Sequence, residues 1–238
     1  AESFLENPRR GDLLPALRWL EVSDSHALID RFFAQESVSQ LWREELARLF
    51  DQGLFFQRVA LFDAAAGPLG KAVLAGAGHL REELAWIHNA RGLSLLELGL
   101  TEEAVFDFEE AIELFSEQFE SGDLAVLQAM ASAHSRMSEA ALKKGDLELA
   151  LRSSTKASEL LREHVLSAEN HSLQLAELRA RVLLQSAKAH FALELYEDAL
   201  EHLSRALPDL TRMEAERATP IRGECFIVAA QAMAAQGQ

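Results

Sequence analysis

The sequence predicts an all-α protein built as a solenoid of stacked helix pairs, and three observations carry that prediction. Turn-type positions recur at near-constant intervals: Gly53, Gly99, Gly145, Glu194 and Gly237 are separated by 46, 46, 49 and 43 residues. Each ends a run with helical apolar spacing, and the first four precede another such run, so the repeating unit is helix, tight turn, helix. Composition agrees: 49% of the residues are apolar, Ala and Leu dominate, and only five prolines and one tyrosine occur, which favours helix over sheet.

The leading segment, residues 1–36, lacks the repeat pattern. Its stretch LLPALRWLEVSDSHALIDRFFAQ reads as two shorter helices, about Leu13 to Val22 and Asp24 to Gln35, with Asp24 as N-cap of the second. We read it as a cap or as the edge of a preceding domain. Residues 37–238 read as one array, with units at about 39–70, 85–118, 131–165 and 180–215 and a half unit at 221–238.

The clearest unit is AWIHNARGLSLLELGLTEEAVFDFEEAIEL, from Ala85 to Leu114. Gly92, Leu95, Gly99, Ala104, Phe108 and Ala111 stand at the spacing of small, large, turn, small, aromatic and small positions, and on these residues the unit resembles the tetratricopeptide repeat. The resemblance implies a right-handed α-α superhelix. Sliding the template upstream finds Trp42, Leu49, Gly53, Phe62 and Ala65, with Leu46 and Arg58 where small residues are expected. Downstream it finds Ser138, Ala141, Gly145, Ala150 and Ala157, with Ser154 in place of the aromatic. The next unit carries Leu183, Ala187, Ala199, Leu203 and Ala206 with Glu194 at the turn. Phe226, Ala229, Ala230, Met233 and Gly237 then spell a first helix without its partner.

The period of about 46 exceeds the usual value of about 34, so either the helices are extended or the inter-repeat loops are long. Candidate loops are Ala66 to Gly70 around Pro68, Glu120 to Asp123, Leu166 to Asn170, and Ala218 to Pro220. Pro208 is expected to end or kink its helix. The order of ALRWLE (Ala16 to Glu21), a degenerate unit around Gly53 and ARGLSLLELGLTEEAV (Ala90 to Val105) is similar to the tetratricopeptide sensor regions of bacterial STAND-type signalling ATPases, among them large antibiotic-regulatory transcription factors. That resemblance implies a regulatory domain that senses a ligand or peptide and restrains a switch. The chain itself carries no Walker A loop and no DNA-binding segment.

Charge narrows the partners. With 38 acidic against 23 basic residues the chain carries −15, which opposes a nucleic-acid footprint. No apolar stretch approaches a membrane span, the start lacks a signal-peptide core, and the single Cys225 cannot form an internal disulfide. A cytoplasmic setting is the expectation. A chain that begins without Met reads as a trimmed segment or a processed N-terminus.

Chemistry-bearing clusters read as structural. No HExxH or closely spaced Cys/His set occurs among the eight histidines, so no metal, cofactor or catalytic residue is expected, and the protein reads as no enzyme. His88 and His134 share the wedge position of successive repeats, His190 takes a large-residue position, and His164 with His171 flanks a loop. Cys225 reads as a buried, inert thiol. Glu102, Glu103, Asp107, Glu109 and Glu110 mostly face solvent by helical spacing.

In such arrays the first helices line a concave groove. The groove positions include Trp86 and Asn89 in one unit, Arg136, Glu139 and Lys143 in the next, then Arg181, Lys188 and Phe191. Arg136, Lys143, Arg181 and Lys188 would form a positive strip for a protein or peptide segment that is acidic or bears a free carboxylate. The alternative is that they pair with Glu139, Glu177 or other carboxylates. At the C-terminus, Phe226, Ile227, Val228 and Met233 would leave an apolar strip able to support a weak homodimer.

Overall fold

The computed structural model describes residues 2–23, 25–117, 124–165, 173–213 and 215–237. Every regular element among these residues is helical. Two compact units form, Ala1–Phe115 and Ser116–Gln238.

In the first unit, α1 (Glu2–Glu6), α2 (Leu13–Ser23) and α3 (His26–Ala34) precede the longer helices α4 (Glu36–Asp51) and α5 (Phe55–Leu74). Helices α6 (Arg81–Glu97) and α7 (Thr101–Ser116) follow. The core of α1 to α6 gathers Leu17, Leu20, Phe32, Trp42, Phe62 and Leu69, with the Trp42 and Phe62 rings edge to face at 5.9 Å. Helices α2 and α3 pack on α5, so the leading segment shares this core. The second helix begins at His26 with Ser25 as its N-cap; Asp24 lies outside the described residues.

The second unit contains α8 (Leu124–Lys144), α9 (Leu147–Val165), α10 (Leu173–Ala192), α11 (Tyr196–Arg212) and α12 (Ala215–Ala235). Each helix packs on the next, and the first helices α8, α10 and α12 also pack in succession, the adjacency expected of stacked helix pairs. Close approach is set by small residues. Ala131, Ala141, Ala150, Ala157, Ala187, Ala199 and Ala206 are all fully buried, and the Ser138 hydroxyl donates to the Ala150 carbonyl at 2.8 Å, tying α8 to α9.

All five punctuating positions adopt left-handed backbone: Gly53, Gly99, Gly145 and Gly237 at φ from 67° to 85°, and Glu194 at 63°. Four close the same reversal. At Gly99, for example, the Leu100 N–H donates to the Leu95 carbonyl at 2.9 Å while Gly99 N–H donates to Leu96 at 3.1 Å, which satisfies carbonyls that the helix end would otherwise leave bare. Leu195 N–H makes the equivalent bond to His190 at 2.9 Å, so Glu194 performs a glycine's task.

The extra repeat length lies in the helices, which run to 21 residues in α8, 19 in α9 and 20 in α10. Two expected loops are helix instead. Ala66 to Gly70 sits inside α5, and Ala218 to Pro220 inside α12. Helix α11 likewise continues through Pro208 to Arg212 rather than ending early. Proline's ring fixes φ near the helical value, so within a helix it removes one backbone hydrogen bond and kinks or breaks the helix only where its ring clashes with the preceding turn. The true stop after α5 is Gly76, at φ 106°, six residues beyond the expected loop end at Gly70. The other two candidate loops, Glu120 to Asp123 and Leu166 to Asn170, fall outside the described residues, as does His171.

Candidate partner-binding groove

Helix α8 presents Arg136, Glu139 and Lys143 at i, i+3 and i+7, one face of a helix by spacing. Helix α10 presents Arg181 and Lys188 at i and i+7 in the same way. Together with α12 these helices enclose a polar hollow of about 230 Å³, onto which Arg136, Glu139, Arg181, Gln185, Lys188 and Glu224 open. Leu178, Leu184 and Ile221 supply its apolar lining.

The positive strip expected from sequence is compensated. Arg136 and Lys143 both reach Glu139, at 3.1 and 3.3 Å. Burial works against ionisation of that carboxyl, but the two cations outweigh it and hold Glu139 below the usual carboxylate range. Arg181 pairs with Glu177 at 3.0 Å, and Lys188 pairs across helices with Glu224. Glu224 and Gln185 escaped the sequence reading. Glu224 lies two residues before Phe226, the first template position of α12, and Gln185 looks like an ordinary polar residue until its burial is known. The Gln185 amide oxygen is buried and accepts no hydrogen bond among the described residues, although buried polar atoms are almost always satisfied.

The other expected groove residues are placed differently. Lys143 is outside the hollow and acts only through Glu139. Phe191 is half-buried and lies against the Tyr196 ring at 5.6 Å, beside the α10 to α11 turn. Trp86 and Asn89 belong to the first unit, on α6. Trp86 is partly exposed, packs its ring edge to face on Phe115 at 5.4 Å and donates weakly to Glu82 at 3.4 Å; Asn89 is half-buried.

Polar clusters away from the hollow hold helices together. Asp107 is fully buried rather than solvent-facing, because Arg91 reaches it bidentately at 2.6 and 2.5 Å and His88 Nδ1 lies 3.0 Å away. Arg91 also bonds Asp63 at 2.9 Å, so one guanidinium ties α5, α6 and α7. With both Asp107 oxygens engaged and no nucleophile beside His88, the cluster is a helix clamp. His134 is held down to about 4, chiefly by burial and further by the Lys156 charge. His190 Nδ1 donates to the Ser186 carbonyl at 2.7 Å, and its ring lies 4.7 Å from that of His202. Cys225 is buried, and that burial pushes its thiol up, away from nucleophilic character. No group of three or more His, Cys, Asp or Glu suited to a metal ion occurs among the described residues. No described helix is long and apolar enough to cross a membrane.

Residues 87–118 match the Tetratricopeptide repeat family. The match covers the α6–α7 pair, from Ile87 through the Gly99 reversal, and with the all-helical architecture it supports a tetratricopeptide-repeat protein. No curated protein matches the chain.

Proposed function

We propose that the protein is a non-enzymatic interaction module that takes a peptide segment into the α8, α10 and α12 hollow. The observation that carries this reading is the convergence of three first helices on one polar recess lined by Arg136, Glu139, Arg181, Gln185, Lys188 and Glu224. A peptide carboxylate can exchange with Glu224 at the partly exposed Lys188, while apolar groups of the peptide can cover Leu178, Leu184 and Ile221. Because every cation already has a carboxylate partner, the favoured ligand offers apolar groups and one terminal or side-chain carboxylate, not a dense acidic run.

Glu139 and Arg136 border the recess, Arg181 and Lys188 face it, and Phe191 and Lys143 frame its surroundings. Trp86 and Asn89 would offer a separate contact on the first unit. As a sensing domain of a larger switch protein the chain would use this same recess. A peptide array, each sequence synthesised with a free carboxylate and as the amide, tests the proposal against wild type and an Arg136→Glu, Lys188→Glu variant. Sequence-selective binding that weakens about tenfold in the variant is the expected result. Equal retention by both proteins, or none on any peptide, would refute it.

A further inference from the structure

The apolar strip expected at the C-terminus is in part core. Val228 is buried, while Phe226, Ile227 and Met233 stay exposed, and such a surface does not by itself name an occupant. A chemically more specific feature lies on a different face of α10 from the one that opens on the recess. There a hollow of about 160 Å³ is lined by one arginine from each of three successive helices, Arg162 of α9, Arg179 of α10 and Arg205 of α11, with Ser158 of α9 also in its wall.

Three guanidiniums lining one hollow raise the local positive potential. One counter-charge is built in: the Asp209 carboxylate, 2% exposed, lies 3.2 Å from Arg179 Nε. Arg162 and Arg205 form no ion pair among the described residues. Glu159, one turn before Arg162, is instead bonded to Lys156 at 2.9 Å. Three arginines less Asp209 thus leave two positive charges in excess, on a chain whose net charge is −15. The recess is the reverse case, since each of its cations has a carboxylate partner. The Ser158 hydroxyl lies 3.5 Å from that of Ser186, so it keeps a proton to give to the hollow when Ser186 donates to it. Leu161, Val182 and Leu183 make the rest of the wall apolar, and a charged contact is stronger beside such a surface than in open water.

We propose that the hollow between Arg162, Arg179 and Arg205 binds a phosphate monoester. The excess of two positive charges matches a phosphoryl group above its second pKa of about 6, where it carries close to two negative charges. Donors arriving from three helices suit its three terminal oxygens, whereas a planar carboxylate is satisfied by a single guanidinium fork. The space of about 160 Å³ far exceeds the about 15 Å³ that one water needs, so the phosphoryl group enters together with the first atoms of its ester. Those atoms meet the Leu161 and Val182 wall. The hollow shares no lining residue with the α8, α10 and α12 recess and does not rest on peptide binding there.

The probes are phenyl phosphate, phenyl sulfate and a capped alanine peptide carrying one phosphoserine, each titrated into the full chain by isothermal calorimetry. Phenyl phosphate should bind saturably. Phenyl sulfate, of the same shape with one charge fewer, should bind at least about tenfold more weakly. Arg162 and Arg205 are exposed, so Arg162→Gln and Arg205→Gln should keep the circular dichroism and melting temperature of the wild type. Each should weaken phenyl phosphate about tenfold, the worth of one charge-assisted hydrogen bond. Lys188→Gln, in the recess, should leave it within about twofold, which keeps the fate of this site apart from that of the peptide recess. The phosphopeptide distinguishes the sources of the group: tighter binding than phenyl phosphate points to a phosphorylated side chain, equal or weaker binding to a small organic phosphate. Failure of both phenyl phosphate and the phosphopeptide to saturate overturns the proposal. So does phenyl sulfate binding as tightly as phenyl phosphate, or phosphate binding that survives Arg162→Gln combined with Arg205→Gln in protein with unaltered circular dichroism.

Discussion

Gly92 stands where α6 meets α7, and replacing it sets two effects of known size against each other. A β-carbon built there lies 2.8, 3.0 and 3.1 Å from three atoms of the Phe108 ring. Phe108 is fully buried, so the ring cannot swing into solvent and must press on its neighbours. Overpacking of this kind costs about 1 to 3 kcal/mol. Against it, Gly→Ala inside a helix gains about 1 kcal/mol through propensity. The net cost of Gly92→Ala is thus about 1 kcal/mol, and a control is needed to separate the two. Gly70, mid-helix in α5 of the same unit, has nothing within 4 Å of its β-carbon position, so Gly70→Ala keeps the propensity gain and lacks the clash. Thermal melts of the two variants should differ by about 2 kcal/mol, roughly 4 to 8 °C for a chain of this size. Pairing Gly92→Ala with Phe108→Leu should recover part of the loss, because the smaller side chain removes the edge that the β-carbon meets. If Gly92→Ala melts at or above Gly70→Ala, the close contact between α6 and α7 is wrong, and with it the assignment of Gly92 as the small-residue position.

Three further expectations follow from other parts of the chain. Glu194 holds φ at 63°, a conformation that costs a side-chain-bearing residue about 1 kcal/mol or more, so Glu194→Gly should raise urea-melt stability by about that much while Gly145→Ala lowers it. His134 is pushed down to about 4 from 6.5 mainly by burial; the unfolded imidazole takes a proton that the folded one refuses, so its contribution is full above pH 6.5 and falls toward pH 4. Between pH 7.5 and 5 that loss is about 2 kcal/mol, and urea melts at both values should show it shrinking in His134→Leu. Asp107→Ala leaves Arg91 without its bidentate partner inside the α5, α6 and α7 clamp, which should cost about 3 kcal/mol or more in the same assay.

Spacing alone disclosed the turns, because a left-handed reversal needs glycine or a tolerated substitute at one fixed position, and such positions recur visibly. The buried small residues were equally legible, since Ala, Gly or Ser at a repeated position is what lets two helices approach closely. Prolines misled. Pro68 and Pro220 looked like loop markers, yet α5 and α12 continue through them, Pro68 buried and Pro220 exposed, and the real terminator, Gly76, fell outside the 46-residue rhythm. Polar burial was the least legible. Arg58 broke the template, and its compensation is three-dimensional: its guanidinium stacks 4.9 Å from the Phe50 ring and 5.2 Å from Phe62, and donates to Ser94 at 3.1 Å. No local pattern announces a partner that is 36 residues away. Asp107 was hidden for the same reason, because Glu and Asp on a helix face solvent unless an arginine on another helix claims them.

The recess makes an electrostatic argument of its own. Arg136, Lys143, Arg181 and Lys188 face Glu139, Glu177 and Glu224, four positive groups against three negative, on a chain whose net charge is −15. A strongly acidic ligand would therefore approach through a repelling field and, on arrival, find each cation already paired, Arg136 and Lys143 sharing Glu139. A strongly basic ligand would be drawn to the surface at large but find no excess of carboxylate here. What distinguishes the recess is exchange: a pair such as Lys188 with Glu224 is partly exposed and worth little by itself, so an incoming carboxylate replaces one weak contact with another at little net cost. Affinity must then come from the groups that have no such exchange, the apolar Leu178, Leu184 and Ile221 lining. Binding at this site should accordingly weaken only slightly with salt, whereas a ligand held by the surrounding charge would be lost steeply as the screening length shortens from about 30 Å at 0.01 M to about 8 Å at 0.15 M.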